Sequence, residues 1–306
     1  REASKTLETA ATVIERMRDL GANRQSRLVA VGGGIIQDVA TFAASSYMRG
    51  IEWSYCPTTL LGMVDSCIGG KSSLNVGPYK NIAGNFFPPG RVLIDTEFCT
   101  SLPKIQKIEG LLEAVKICYA SQGTEFEKYL HLAGTGELIP NTATLGHIIA
   151  LSLETKKRFI EEDEFDNGVR LLLNFGHTFG HAIEGASEYR ISHGVAVGLG
   201  MLSAVSFSEE FDLVDRSLPR IAALVKYVNR LLAHIPDLAK TLEEISPVQT
   251  MERFRSDKKH RRDEFAVIIF DKDGLLERRF VPASTENSNR IIRVFENLRR
   301  ELYEIQ

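Results

Sequence analysis

The chain has 306 residues, 43% of them hydrophobic and 25% charged, with a formal net charge of −3. That length allows a sizeable core and two domains, and so even a charge balance gives no electrostatic basis for a nucleic-acid or membrane partner. The four cysteines, Cys56, Cys67, Cys99 and Cys118, form no CxxC pair, so reduced thiols in a cytoplasmic protein are expected.

Leu7, Ala10, Ile14, Met17 and Leu20 recur at helical spacing, and Gly21 or Asn23 ends that helix. "RLVAV" at 27–31 is a short apolar run leading into the glycines of 32–34, and "IIQDVATFAASSYM" is again helical in pattern. "IEWSYCP" reads as a strand closed by Pro57, and "RVLID" at 91–95 as another buried strand. This order predicts part of a parallel α/β sheet. Beyond about residue 98 helical patterns dominate: "KIEGLLEAVKICYA", "TLGHIIALSLETKKRFI", "NFGHTFGHAIEGA", "GVAVGLGMLSAVSFSEEF" and "SLPRIAALVKYVNRLLAH". The weakly polar run at 195–207 is too short and too rich in glycine to span a membrane. "EFAVIIFDKDGLLERRFV" predicts a hairpin turning at Asp273-Gly274, and a last helix runs through "SNRIIRVFENLRREL". The expected architecture is an α/β N-terminal nucleotide-binding domain with a parallel sheet over 1–97 and a mainly α-helical C-terminal metal and substrate domain over 98–306. A ligand cleft is expected between them.

Three stretches carry candidate chemistry. The glycine turn of "VAVGGGIIQD" lies between a strand and a helix, where backbone amides and a helix N-terminus meet an anion. It is not GxGxxG, and a tightly packed turn is the competing reading. Residues 57–81 combine Thr58, Thr59, Asp65, Lys71, Asn75, Lys80 and Asn81 with glycines, a set suited to a phosphorylated, hydroxylated ligand; "IGGKSS" is not a Walker loop. His177 and His181 are four apart, on one face of a helix. With Glu113 and His193 they are candidate zinc ligands, and spacing alone does not choose between them. The pair is not HExxH, so a zinc-protease reading lacks its general base. His131, His147 and His234 read as surface or packing residues, and His260, within the basic cluster "DKKHRR" at 257–262, as solvated.

Taken together, "GGGIIQDVATFAASSYMRGI", "PTTLLGMVDSCIGGK", "YKNIAG", "GLLEAVK" and "GVRLLLNFGHTFGHAIE" resemble, in order, the motifs of the 3-dehydroquinate synthase family within the sugar-phosphate cyclase superfamily. The likeness runs from the first residues to about 207 and more loosely through 258–275. It implies a first domain that binds NAD and a second that holds zinc, or cobalt in its place. The implied metal ligands are Glu113, His177 and His193, with His181 beside the metal as the proton-handling residue. The implied NAD contacts are Gly33, Gly34, Asp38, Thr58 and Thr59, with Asp65, Lys80, Glu2 and Lys5. Substrate contacts carry over onto Arg49, Asp65, Lys71, Lys80, Asn81, Lys116, Lys156, Arg170 and Asn174, and onto one of Lys258 and Lys259.

The resemblance also implies the reaction. NAD oxidises a ring hydroxyl of 3-deoxy-arabino-heptulosonate 7-phosphate, the ketone acidifies the neighbouring C–H, and phosphate leaves by β-elimination. Hydride then returns, and the ring opens and recloses to 3-dehydroquinate, in the shikimate pathway of aromatic amino-acid biosynthesis. Zinc serves as the Lewis acid, and lysines with Arg49 neutralise the phosphate. The family implies a homodimer, acting on a small phosphorylated sugar acid.

The pattern is broken at three places. Val195 stands where the family carries glutamate after the second zinc histidine, and no glycine follows the lysines of "DKKHRR". A first strand and turn, with the acidic residue for the adenosine ribose, are expected to be absent from this chain. Three other readings share parts of the pattern: a cyclase of sedoheptulose 7-phosphate or glucose 6-phosphate, a zinc polyol dehydrogenase, and a non-catalytic relative. Arg170 and Asn174 favour the dehydroquinate branch, since they suit a carboxylate-bearing substrate. The lysine-rich set argues against a simple polyol.

Overall fold

Thr6 starts the first helix by accepting the Thr9 N–H on its hydroxyl at 3.2 Å, and α1 (Leu7–Asp19) follows. In the computed structural model of the chain, residues 2–77, 79–134 and 136–305 are described. The chain divides into two compact units: residues through Gly110 together with Asn141–Glu164, and Leu111–Pro140 together with Phe165 onward.

In the first unit β1 (Arg27–Gly32), α2 (Gly34–Ser46) and β2 (Glu52–Pro57) form a strand–helix–strand unit, with the two strands parallel and Gly32 opposite Pro57. β2 is central. Trp53, Ser54 and Tyr55 are all buried, as expected of a strand covered on both faces. Around it pack Ala30, Ala40, Ala44, Tyr47, Ile51 and Cys67. A π-helical turn, Gly62–Ser66, leads to the antiparallel hairpin of β3 (Leu74–Val76) and β4 (Tyr79–Ala83). That hairpin was not legible in the polar stretch 57–81. β5 (Arg91–Val92) is shorter than the strand expected over 91–95, because Asp95 accepts the Glu97 N–H at 2.9 Å and starts a 3-10 turn, Thr96–Cys99.

The helix α3 (Lys104–Ala120) contains the point of division, so the units part at Gly110 and not at the expected residue 97. α4 (Glu125–Ala133) belongs to the second unit. The next helix, α5 (Thr142–Glu162), returns to the first, where it packs on the π-helical turn and on the turn Thr96–Cys99.

Among the described residues the second unit is helical apart from one hairpin. After a 3-10 segment, Val169–Asn174, come α6 (His177–Ala186), α7 (His193–Glu210), α8 (Pro219–Leu232), α9 (Leu238–Glu243) and α10 (Pro247–Arg255). Then β6 (Glu264–Phe270) and β7 (Leu276–Pro282) pair antiparallel, and α11 (Thr285–Ile305) closes the chain's described part. The hairpin turns at the expected place: Asp271 accepts the Asp273 and Leu275 N–H groups, and Gly274 takes φ +76°. Every residue of α7 from Gly194 to Ser208 is buried, so it is the core helix of this unit. No described helix is long and apolar enough to cross a membrane.

Candidate active site

The parallel pairing of β1 and β2 brings their carboxyl ends side by side. Thr58 N–H donates to the Gly32 carbonyl at 3.0 Å, and a Cβ on Gly33 would meet the Thr59 methyl at 3.0 Å. Gly33, Gly34, Thr58 and Thr59 are therefore neighbours at the N-terminus of α2, where free amides and the helix dipole favour an anion. The carboxyl ends of parallel strands are where open α/β sheets take their ligands.

Other expected residues of this unit form two networks. Lys5, 7% exposed, donates to Asp38 Oδ2 at 3.0 Å and to Asn81 Oδ1 at 2.7 Å. Burial raises the Asp38 pKa, and the Lys5 charge opposes that rise. Glu2 accepts from Asn75 at 3.0 Å and lies 3.6 Å from the Lys80 ammonium. In the second network Lys156 donates to the carboxylate and the carbonyl of Asp65, both at 2.7 Å. Asp65 sits in the π-helical turn, a distortion frequent at functional sites. Gln37, which the sequence reading passed over, binds that turn reciprocally: it donates to the Ser66 carbonyl, and the Ser66 hydroxyl donates back at 2.6 Å. Arg49 and Lys71 are exposed, Arg49 with φ +69° and Lys71 with its ammonium 5.8 Å from the Phe86 ring centre.

In the second unit the pairing of α6 with α7 builds a histidine cluster. The two helices approach so closely that a Cβ on Gly200 would fall 1.9 Å from the Gly176 carbonyl oxygen. Gly176 itself takes φ +76°, the left-handed conformation glycine adopts without strain, and α6 begins at the next residue. His177 and His193 thus each begin a helix, and His181 follows His177 by one turn. The ring centres of His177 lie 5.3 Å from those of both His181 and His193, and His181 and His193 are 5.6 Å apart. One nitrogen from each ring lies within 4.8 Å of the others.

Two of the three rings are oriented from behind. His193 Nδ1 meets Glu184 Oε2 at 3.3 Å, and His177 Nδ1 lies 3.2 Å from the Phe175 carbonyl. Both leave Nε2 for a ligand, the arrangement that fixes metal-binding histidines. His181 is exposed, and among the described residues no hydrogen bond orients it. Burial pulls the His193 pKa down, but the hydrogen bond to Glu184 and the charges of Glu113 and Glu184 outweigh it and leave it above the ordinary value. His177 is held well below that value by desolvation first, then by Lys116 and the other two imidazoles, so it is neutral and able to bind a cation.

Glu113 and Lys116 are both 2% exposed. Lys116 donates to Glu113 Oε1, while Glu113 Oε2 is buried with no hydrogen-bond partner. An unpartnered buried carboxylate oxygen is costly, and its chemistry fits a cation ligand. Desolvation comes first in lowering the His181 pKa and the Lys259 charge next, and that charge also acts on His177, whereas Lys258 is exposed. Arg170 is buried, and the Asn174 amide donates to the Leu171 carbonyl at 3.1 Å.

Besides Gln37, Glu184 escaped the sequence reading. Glu184 is three residues past His181, one helical turn along the same face, which was the available signal. Val195, the break in the "HGE" pattern, is buried, and the carboxylate that meets His193 comes from Glu184. His260 is not solvated as expected. Its Nδ1 accepts the Ala266 N–H at 3.0 Å, its Nε2 meets the Phe254 carbonyl at 2.8 Å, and its ring packs on Phe254 and Phe265.

Residues 1–109 match the family model described as 3-dehydroquinate synthase N-terminal, and residues 110–260 that of 3-dehydroquinate synthase C-terminal. The chain is 36% identical over 283 residues to a 3-dehydroquinate synthase of Xanthomonas axonopodis pv. citri, covering 90% of this chain and 74% of that protein. It is 42% identical over 218 residues to one of Streptococcus sanguinis, covering 71% of this chain and 61% of that protein. Among solved structures it resembles 2-deoxy-scyllo-inosose synthase in complex with carbaglucose-6-phosphate, NAD+ and Co2+. There the TM-score is 0.83 at 27% identity, covering 97% of this chain and 80% of the other.

Proposed function

This chain belongs to the 3-dehydroquinate synthase family, and we infer that it converts 3-deoxy-arabino-heptulosonate 7-phosphate to 3-dehydroquinate and phosphate in the shikimate pathway. One observation carries the reading furthest: the buried, unpartnered Oε2 of Glu113, in the same unit as two imidazoles already oriented through Nδ1. Glu113, His177 and His193 would hold a zinc or cobalt ion, the donor types such an ion takes at a catalytic site with an open position. When bound, NAD would take and return a hydride, and the metal would polarise the hydroxyl being oxidised.

The protein's own groups do the rest. The amides of Gly33 and Gly34 at the start of α2, with Thr58 and Thr59, bind the cofactor's pyrophosphate. Asp38, Glu2 and Lys5 hold the hairpin that presents Lys80 and Asn81. Asp65 anchors the Lys156 ammonium, and Lys156 with Arg49, Lys71, Lys80 and Asn81 neutralises and orients the phosphate and hydroxyls of the substrate. Arg170 and Asn174 take its carboxylate. Lys116 orients the Glu113 carboxylate by a hydrogen bond to Oε1. His181 moves a proton through a ring nitrogen, the role open to an imidazole that no hydrogen bond holds. Lys259 adds a positive charge on the same side. The four free cysteines accord with a reducing cytoplasmic setting, and we extend the reading to a homodimer.

The test is turnover by the purified protein with NAD and zinc, offered 3-deoxy-arabino-heptulosonate 7-phosphate, sedoheptulose 7-phosphate and glucose 6-phosphate in parallel. Phosphate release with dehydroquinate from the first sugar alone is the expected result. Turnover of another sugar alone would move the enzyme to a second reading, a cyclase of a different sugar phosphate, which the likeness to the inosose synthase favours.

A further inference from the structure

The segment between α10 and β6 is closed by one side chain. His260 Nδ1 accepts the Ala266 N–H, so Nε2 carries the proton and donates to the Phe254 carbonyl. The ring lies 4.9 Å from the Phe254 ring centre and 5.2 Å from that of Phe265. His260 therefore ties the last turn of α10 to the start of β6 through two directional bonds and two ring contacts. Inside the closed segment Asp257 completes the turn. Its carboxylate accepts the Lys259 N–H at 2.9 Å, and its carbonyl accepts the His260 N–H at 3.0 Å.

This turn sets where two consecutive lysines point. Lys258 faces solvent. Lys259 turns its ammonium inward, where Nζ is buried with no hydrogen bond and the nearest acid, Asp257, is 3.7 Å away. A flexible four-carbon stem with an unsatisfied ammonium would leave such a place for water unless its backbone were held. The Lys259 charge acts on His177 and His181, and Asp257, Lys258 and Asp166 act on it in turn.

We propose that His260 is a positioning residue: by clamping Phe254 to Ala266 it holds the 257–260 turn so that Lys259, and not Lys258, offers an ammonium to an anionic group of the substrate beside the histidine cluster. The anion's identity rests on the functional reading above; the clamp itself does not.

The experiment compares wild type, His260→Ala, His260→Gln, Lys259→Met and the double variant His260→Ala/Lys259→Met. Each is given a pulse of acetic anhydride, with acetylation of each lysine read by peptide mass spectrometry, and each is assayed for KM, kcat and bound zinc. In His260→Ala, Lys259 acetylation should rise severalfold while the buried Lys116 stays protected, which separates loosening of the turn from unfolding. KM for 3-deoxy-arabino-heptulosonate 7-phosphate should rise about tenfold, the worth of one charged hydrogen bond, with zinc content unchanged. His260→Gln, whose amide can both accept and donate, should restore most of both. In the Lys259→Met background His260→Ala should add less than about twofold, because the two residues act as one unit.

Unchanged Lys259 acetylation in His260→Ala would overturn the proposal, and so would a full tenfold effect on top of Lys259→Met. If His260→Ala does not fold, His260→Asn takes its place, keeping only the bond to Ala266. Should wild type turn over none of the sugar phosphates while Lys259 acetylation responds as stated, the clamp stands and the functional reading fails.

Discussion

Glu113 gives one carboxylate oxygen to the Lys116 ammonium one helical turn away and keeps the other buried with no partner. Half of a buried charge is thus compensated from within α3, and half is left for something outside the protein. Glu113→Gln should retain the fold and lower zinc affinity by more than about 100-fold, beyond the 10–100-fold typical of outer partners. Competition with a chelator of known affinity measures this. Unaltered affinity would remove Glu113 from the ligand set.

The three histidines are nearly equidistant, so geometry alone offers each as a ligand. What separates them is support: Nδ1 of His177 and of His193 is engaged, while among the described residues that of His181 is not. His177→Ala and His193→Ala should therefore lose bound metal, whereas His181→Ala should keep it and slow turnover by about 100-fold or more, the usual worth of a general acid–base group. Metal analysis of the three proteins after dialysis decides it. Loss of metal from His181→Ala would put that residue in the ligand set.

Glu184 lies outside the proposed ligand set, and its carboxylate meets His193 Nδ1. Glu184→Ala should weaken zinc binding by about 10- to 100-fold, and Glu184→Gln, which can still accept from Nδ1–H, by less. The graded order of the two variants, read by the same chelator competition, is the informative result. Equal losses would mean that shape, not the hydrogen bond, is what Glu184 supplies.

The approach of α6 to α7 depends on a backbone contact that admits no side chain. Gly200→Ala sets a Cβ against the Gly176 carbonyl and forces the helices apart, at a cost of about 1–3 kcal/mol. Both a lower melting temperature and weaker metal binding are expected, since His177 and His193 stand on the two helices. A drop in melting temperature with intact metal affinity would show that the cluster tolerates the shift.

Protonation should break the His260 clamp. Burial and the neighbouring Lys259 charge hold its pKa below the ordinary value, against the opposing pull of Asp257 and the Phe254 carbonyl. Nδ1 must also stay unprotonated to accept from Ala266. The stability His260 contributes is therefore fully present above its unfolded value of about 6.5 and is lost as pH falls through the lower folded value. His177 and His181 shift in the same direction, so the comparison that isolates His260 is wild type against His260→Gln between pH 7 and 5. The variant should show the flatter curve, by up to about 1.4 kcal/mol per pH unit. Superimposable slopes would exclude the clamp as a titrating element.

Periodicity along the chain determined much of this protein. The helix over 7–19, the strands at 27–32 and 52–57, the glycine turn between them and the hairpin at Asp273-Gly274 follow from neighbours a few residues apart, and each was legible in the sequence. The motif order further named a family, and with it a ligand set. Other features rested on contacts between residues that periodicity does not relate. Only the packing of α6 on α7 gave His193 the Glu184 carboxylate and left His181 without support. Only the turn that His260 closes separated Lys259 from Lys258, and it moved His260 from an expected solvated cluster into an aromatic one. The return of α5 to the first unit was likewise invisible, because an amphipathic helix records that it has a buried face but not which partner covers it. Spacing brings His177 and His181 onto one face of a helix. What stands behind each ring, and so which of them is supported as a metal ligand would be, is set by tertiary packing.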